Sequence, residues 1–267
     1  MRSASGKTVV VTGAAGGIGR AIALRFGDAG ARVALLDRDA EPLASAAEAL
    51  RARGAAGEAF ACDVTRPDDC EGALRAVVAR FGGVDVLVNN AGITHRSRFA
   101  ETDVSIVRAV MEVNFFGSVH CTKAALPSLI ERRGRVVVIS SVAGFAPLVE
   151  RAGYAASKHA LHGFFDTLRA ELAPSGVAVT LVCPSFTASG IDRHALGGAI
   201  GAAPRAWSTT GRLSTPEEVA EAVHRAVLRN RRLAFPTWLG RASWHLSRVA
   251  PALFERIMVR RLAASSS

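Results

Sequence analysis

The sequence predicts an α/β fold, a doubly wound parallel sheet of about seven strands with helices on both faces. Three observations predict it. Short valine-rich runs alternate with longer stretches of helical period. The runs show little polar alternation, as strands buried on both faces do. A glycine-rich loop joins the first run to the first helical stretch, the junction at which such sheets hold ligands.

The runs are Thr8–Val11, Val33–Leu36, Val84–Val88, Val136–Ile139 and Val177–Val182. The helical stretches are Arg20–Ala29, Ala40–Arg53, Pro67–Phe81 and Thr102–Glu131, with another around Tyr154 that continues to about Ala173. Two regions break the pattern. Ser185–Thr210 is rich in Gly, Ala and Ser and reads as a loop with short helices over the C-terminal edge of the sheet. From about Ala234 a tail begins. This divides the chain into a dinucleotide-binding catalytic domain, 1–236, and a basic amphipathic helical tail, 237–267, that is not a domain of its own. Low complexity is confined to Ala263–Ser267, which reads as a frayed end.

With 267 residues, 49% apolar and 21% charged, the chain can bury a large core and is not a disordered one. It shows no secretory leader and no apolar run of about 20 residues that would span a bilayer. The four cysteines, Cys62, Cys70, Cys121 and Cys183, are far apart in sequence and form no CxxC pair. They read as free thiols in a reducing, cytoplasmic setting, with no zinc spacing and hence no metal site. The net charge of +10 is uneven: nine arginines and one acid, Glu255, lie between Arg225 and Ser267. The body of the chain lacks the basic and aromatic interleaving of a nucleic-acid binder.

The first run leads into Thr12-Gly13-Ala14-Ala15-Gly16-Gly17-Ile18-Gly19 and then a helix. Glycines permit a tight turn and let a pyrophosphate approach the backbone. The helix start offers it unpaired N–H groups and partial positive charge. This makes the sheet Rossmann-like and Gly13, Gly16, Gly17, Ile18 and Gly19 candidate cofactor-binding residues. The second run ends at Asp37, whose carboxylate suits ribose hydroxyls and repels a 2′-phosphate, favouring NAD. Arg38 follows and could pair with that phosphate, which leaves NADP open.

Tyr154 and Lys158 are four residues apart in a helical stretch and so share one face. An ammonium beside a phenol favours the phenolate. Bringing a tyrosine from about 10 to near 7 takes about 4 kcal/mol of differential stabilisation. Ser141 follows the run Val136–Ile139, where its hydroxyl can polarise a substrate oxygen.

On these residues the sequence resembles the short-chain dehydrogenase/reductase family, in its single-domain branch of about 250 residues, over roughly Lys7–Phe235. The motifs that carry the resemblance are Thr12–Gly19, Asn89-Asn90-Ala91-Gly92, Ser141 and Tyr154-x-x-x-Lys158. It implies that Asn114, Ser141, Tyr154 and Lys158 are catalytic, with Asn114 kinking the helix after the fourth strand and holding a relay water. It implies that Asp63 and Val64, after the third strand, contact the adenine, and that Asn90, Ala91 and Gly92 lie beside the cofactor. Lys158 would hold the nicotinamide ribose. The glycines also fit the spacing of the family's longer branch, but the chain has no room for that branch's substrate domain. After the sixth strand, Pro184 fits the family pattern, Ser185 stands where glycine is usual, and Ser189 stands where a threonine binds the cofactor. Ser185 therefore puts the local turn in question.

The tail mixes Trp238, Leu239, Trp244, Leu246, Val249, Leu253, Phe254, Ile257, Met258 and Leu262 with arginines, and Pro251 divides it into two short helices. Such a surface can lie in an anionic membrane interface or cover the core or a dimer contact. It is similar to C-terminal extensions of family members that act on steroids, retinoids and other lipids. The expected protein is then an NAD(P)-dependent alcohol dehydrogenase or ketoreductase with a small, lipophilic secondary alcohol or ketone as substrate. It is expected to form a homodimer or homotetramer and to touch a membrane peripherally. The alternative is a catalytically silent dinucleotide-binding scaffold of the same fold.

Overall fold

The computed structural model describes residues 1, 3–204 and 213–265. Its centre is one parallel sheet of seven strands: β1 (Thr8–Thr12), β2 (Arg32–Asp37), β3 (Gly57–Ala61), β4 (Val86–Asn89), β5 (Arg135–Ile139), β6 (Ala178–Val182) and β7 (Leu233–Ala234). Their spatial order is β3-β2-β1-β4-β5-β6-β7. The order reverses between β1 and β4, which opens a crevice at the C-terminal ends of those strands.

The valine-rich runs lack polar alternation because both faces are covered. Val9 and Val11 of β1, Val33 and Leu35 of β2, and Val137 and Ile139 of β5 pack on one side. There they meet α1 (Gly17–Asp28), α2 (Ala40–Ala52) and α7 (Pro216–Leu228) through Ile22, Phe26, Leu43, Leu50 and Val223. Val10, Ala34, Val136 and Val138 point the other way. They meet α3 (Pro67–Phe81), α5 (Gly117–Glu131) and α6 (Ala152–Leu172) through Leu74, Val77, Leu129, Leu161 and Phe165. The edge strand β3 is half-exposed and contains no valine, so it was not among the expected runs.

The stretch expected as one helix from Thr102 to Glu131 is broken. After α4 (Val104–Met111), residues Glu112–Phe116 form a π-helical turn before α5 begins. Asn114 sits in this turn, and its carbonyl accepts from the Ser118 hydroxyl at 2.8 Å. A π turn inserts one residue and re-aims the side chains it carries. The Ser185–Thr210 stretch contains one short 3-10 turn, Ile191–His194, and its last part, 205–210, lies outside the described residues.

The tail forms α8 (Trp238–Val249) and α9 (Pro251–Ser265), divided at Pro251 as expected. Helix α9 runs to Ser265, so most of the stretch read as a frayed end is helical; residues 266–267 lie outside the described part. The four cysteines are free and buried, as expected. Three of them meet in the core: Cys70 Sγ lies 4.0 Å from Cys62 Sγ and 3.6 Å from Cys121 Sγ.

Candidate active site

A single cavity of 1320 Å³ runs along the C-terminal edge of the sheet, from Asp37 and Asp63 at one end to α8 and α9 at the other. Among the residues expected to act here, Gly13, Gly16, Gly17, Ile18, Asp37, Arg38, Asp63, Val64, Asn90, Ala91 and Gly92 line it. So do Ser141, Tyr154, Lys158, Pro184 and Ser189. Gly19 and Asn114 do not; both stand behind the wall.

The glycine loop is shaped by close approach. Gly13 has φ +64°, and a Cβ there would fall 2.8 Å from Ala91 Cα. Gly17 has φ +53° and lies directly under the Ser189 carbonyl, so a side chain there would be both strained and obstructed. At Gly16, by contrast, a Cβ would meet nothing within 4 Å, because this residue borders the open cavity. Gly16 caps α1 in an extended conformation and no side chain caps the helix. The first-turn N–H groups of α1 are therefore left for a ligand, and a pyrophosphate fits their polarity.

Asn90 fastens the loop, donating its Nδ2 to the carbonyls of Thr12 and Gly13 at 3.0 and 3.1 Å. The Asp37 carboxylate accepts from Ala15 N at 3.0 Å and from Asp39 N at 3.3 Å. Arg38 is exposed and has acids beside it. It lies 3.7 Å from Asp39 and near Asp63. Burial acts to raise the Asp63 carboxyl, but hydrogen bonds from Thr65 and the charges of Arg38 and Arg66 outweigh it and hold it below its ordinary value.

At the centre, Ser141 ends the turn after β5 and accepts from Ala143 N at 3.1 Å. Its hydroxyl is near enough to the Tyr154 hydroxyl to favour the phenolate. Lys158, one turn along α6, is 4% exposed and donates its Nζ to the Ile139 carbonyl at 2.9 Å. Nζ lies 5.6 Å from the Tyr154 ring centroid. The expectation that Lys158 brings Tyr154 toward 7 does not hold for the fold alone. Burial raises the Tyr154 hydroxyl above its usual value, and the pull of Ser141 and Arg151 does not reverse that. Burial also brings Lys158 down to about 8.

Lys158 therefore has a stability signature. Below pH 8 its charge is held in a dry site, which disfavours the folded state. Between about 8 and the unfolded value near 10.4 the unfolded chain binds more protons, so stability rises with pH. Lys158→Met is expected to stabilise the fold at pH 7 by about 1–2 kcal/mol, once the lost bond to Ile139 is discounted. The gain should vanish by about pH 10.5. Urea titrations at both pH values check this; a variant less stable at pH 7 contradicts it.

Asn114 acts through its neighbours. Its Oδ1 accepts from Ile93 N at 2.8 Å, and its Nδ2 donates to Ile93 O at 3.0 Å and Ser157 Oγ at 2.9 Å. It ties the loop after β4 to α6. Ser185 needs no special geometry: it is not among the described residues with positive φ. Its hydroxyl meets Thr237 Oγ1, the N-cap of α8, at 3.3 Å. Pro184 accepts from Val142 N at 3.0 Å, joining the end of β6 to the Ser141 turn.

The far wall of the cavity was not read from the sequence. It is made by Leu239, Ala242, Ser243 and Leu246 of α8 and by Phe254, Ile257 and Met258 of α9. The spacing 239, 242–243, 246 is one face of a helix and was there to be found. Trp244 latches α8 down. Its ring lies 4.9 Å from Phe145, edge to face, and stacks on His162 at 6.2 Å, with the Arg248 guanidinium 3.6 Å above it. Burial pushes His162 down to about 4, so the stacked imidazole is neutral.

Comparison with known proteins identifies the family. Residues 7–196 match the family model for short chain dehydrogenase. The chain is 38% identical over 266 residues to dehydrogenase/reductase SDR family member 7B of Bos taurus, covering 95% of this chain and 80% of that one. It is 33% identical over 267 residues to an SDR family protein 7-like of Anopheles gambiae, covering 97% and 84%. Among solved structures, a short chain dehydrogenase/reductase from Burkholderia phymatum in complex with NAD is similar with a TM-score of 0.84 and 27% identity, covering 95% and 96%. A dehydrogenase/reductase from Sinorhizobium meliloti 1021 follows with a TM-score of 0.77 and 30% identity, covering 87% and 94%. The chain belongs to the short-chain dehydrogenase/reductase family of oxidoreductases.

Proposed function

We propose that the protein interconverts a secondary alcohol and a ketone, with NAD(H) as preferred cofactor and Tyr154 as the group that moves the proton. The observation that carries this reading is the convergence of Ser141, Tyr154 and Lys158 on one cavity that extends to the uncapped start of α1. Ser141 holds the substrate oxygen. Tyr154, as phenolate, accepts the alcohol proton in oxidation and, as phenol, returns it in reduction. Lys158 supplies positive charge beside the phenolate and hydroxyl-binding capacity toward a ribose. Bound NAD supplies the hydride acceptor. Gly13, Gly16, Gly17 and Ile18 would hold its pyrophosphate, Asp37 its adenosine ribose, and Asp63 and Val64 its adenine.

The preference for NAD follows from charge. Asp37 offers a carboxylate where a 2′-phosphate would sit, and Arg38 already has Asp39 and Asp63 as neighbours. The substrate is lipophilic, because Leu148, Phe186, Leu246, Ile257 and Met258 line the outer part of the cavity. A panel of hydrophobic alcohols and ketones, followed by NADH and NADPH absorbance, tests all three statements. Turnover with NADH favoured over NADPH is expected. Dinucleotide binding without turnover across the panel would make the protein a silent scaffold.

The outer faces of α8 and α9 suit an anionic bilayer interface. Trp238 is 80% and Val249 85% exposed, Leu253 and Val259 are also open, and Arg241, Arg256 and Arg260 lie exposed among them. Helices α8 and α9 carry five arginines and one acid, Glu255. Among the described residues no helix is long and apolar enough to cross a membrane, so the contact is peripheral. Flotation with phosphatidylserine-containing vesicles is expected for the full chain at low salt and to be lost in W238S/V249S/L253S. Point variants are preferable to truncation, since the inner faces of these helices wall the cavity. Equal flotation of both proteins, or of neither, removes the proposal.

A further inference from the structure

We infer that His95 is a positioning residue that sets the first turn of α6 and through it the Tyr154 hydroxyl. The inference rests on the reading of Tyr154 as the proton-transferring group.

Helix α6 begins two residues before Tyr154, and its N-cap residue, Arg151, makes no side-chain cap to the helix. A first-turn N–H in that setting needs an acceptor from elsewhere. It has one: Gly153 N donates to His95 Nε2 at 3.0 Å. His95 comes from the loop after β4, 58 residues away, and is 1% exposed. The imidazole thus does the work usually done by a local Ser, Thr or Asp. The residue it grips is the one immediately before Tyr154.

The rest of the ring is fixed by a chain of hydroxyls. Because Nε2 accepts, the proton of the neutral ring is on Nδ1, which lies 3.2 Å from Ser97 Oγ. Ser97 Oγ lies 2.7 Å from Thr102 Oγ1, and Thr102 donates to the Arg98 carbonyl at 2.7 Å. Every proton in the chain therefore has one direction: Nδ1–H to Ser97, Ser97 to Thr102, Thr102 to Arg98. Burial and the Arg151 guanidinium push His95 below the ordinary histidine range, which keeps the accepting nitrogen unprotonated. Gly153 completes the fit. A Cβ at that position would sit 3.1 Å from His95 Nε2 and 3.3 Å from Val107 Cα, so a larger residue would press on the ring.

This arrangement couples two sides of the cavity. Ile93, two residues before His95, is held by Asn114. His95 carries that fixed loop onto the start of α6, where Tyr154 must meet Ser141. Loss of the acceptor frees the first turn and shifts the Tyr154 hydroxyl relative to Ser141. Misplacement of a reacting group by about 1 Å can cost on the order of 10²-fold in rate.

Tyr154 is the only tyrosine in the chain, so its state can be read without turnover. In protein labelled with ¹³C at the tyrosine ζ carbon, one resonance reports the hydroxyl's hydrogen bonding. His95→Leu is expected to shift and broaden that resonance and to lower kcat by about 10²-fold, with the KM for dinucleotide little changed. His95→Gln, whose amide oxygen can accept from Gly153 N, is expected to restore both. If His95→Leu keeps the wild-type resonance and only its melting temperature falls, His95 is structural and the inference is overturned. Should His95→Leu fail to fold, Ser97→Ala carries the test: it removes the Nδ1 acceptor and leaves the ring in place. An unchanged Tyr154 resonance in Ser97→Ala overturns the inference equally. If the wild type turns over no substrate, the proposed reaction fails, but the resonance still decides the role of His95.

Discussion

Tyr154→Phe is expected to reduce turnover by at least about 10³-fold while leaving dinucleotide affinity within a few-fold of wild type. The substitution keeps the ring and deletes one oxygen. That oxygen stands beside Ser141 on the cavity wall, and no other tyrosine exists in the chain to replace it. The loss of packing is small, so a large loss of rate must come from proton transfer rather than from unfolding. Steady-state rates together with dinucleotide titration separate the two. A variant that retains most of its turnover would remove Tyr154 from the chemistry. The upward push that burial exerts on Tyr154 sharpens the prediction, because it means the fold alone does not prepare a phenolate. The positive charge that does so must come from Lys158 in its protonated form and from what occupies the cavity. Rates are therefore expected to depend on pH near 8, where Lys158 loses its proton.

Gly19→Ala should have the second largest effect, on cofactor binding. Gly19 lies outside the cavity lining and touches no ligand space, yet it has no room for one carbon. A Cβ would overlap the Gly13 carbonyl oxygen and lie 2.6 Å from Asn90 Nδ2. Both neighbours belong to the loop itself, and Asn90 Nδ2 is the group that ties that loop down. Neither can yield without moving the turn. Overpacking of this kind costs about 1–3 kcal/mol, equivalent to roughly 10–100-fold in dissociation constant if it falls on the bound state. Isothermal titration with NAD measures it. Wild-type affinity in Gly19→Ala would show that the loop can relax around a methyl group.

The sheet was legible because burial on both faces leaves a plain mark. Val9 and Val10 face opposite sides and both meet core, so β1 reads as an unbroken apolar run. Strand β3 left no such mark, being an edge strand with half-exposed residues. The cavity's inner residues were also readable, since the glycine loop, Ser141 and the Tyr154–Lys158 pair each have a spacing set by local backbone geometry. Three things were not readable, for one physical reason: they depend on which remote segments meet. Cys62, Cys70 and Cys121 come from a loop and two helices. His95 meets Gly153 across 58 residues. The tail shows an amphipathic pattern in sequence, but only the docking of Trp244 onto Phe145 and His162 shows which side of α8 turns inward.

That docking has a thermodynamic consequence. Helices α8 and α9 are at once a wall of the cavity and part of the outer surface, with Leu246 and Ile257 on one side and Trp238 and Val249 on the other. The interior and exterior of the protein are thus two faces of one pair of helices. Any contact made on the outside that shifts these helices must change how tightly the cavity holds its occupant. Reciprocity then requires the occupant to change the strength of the outside contact by the same factor. A filled cavity and an empty one are two different surfaces to whatever the helices meet.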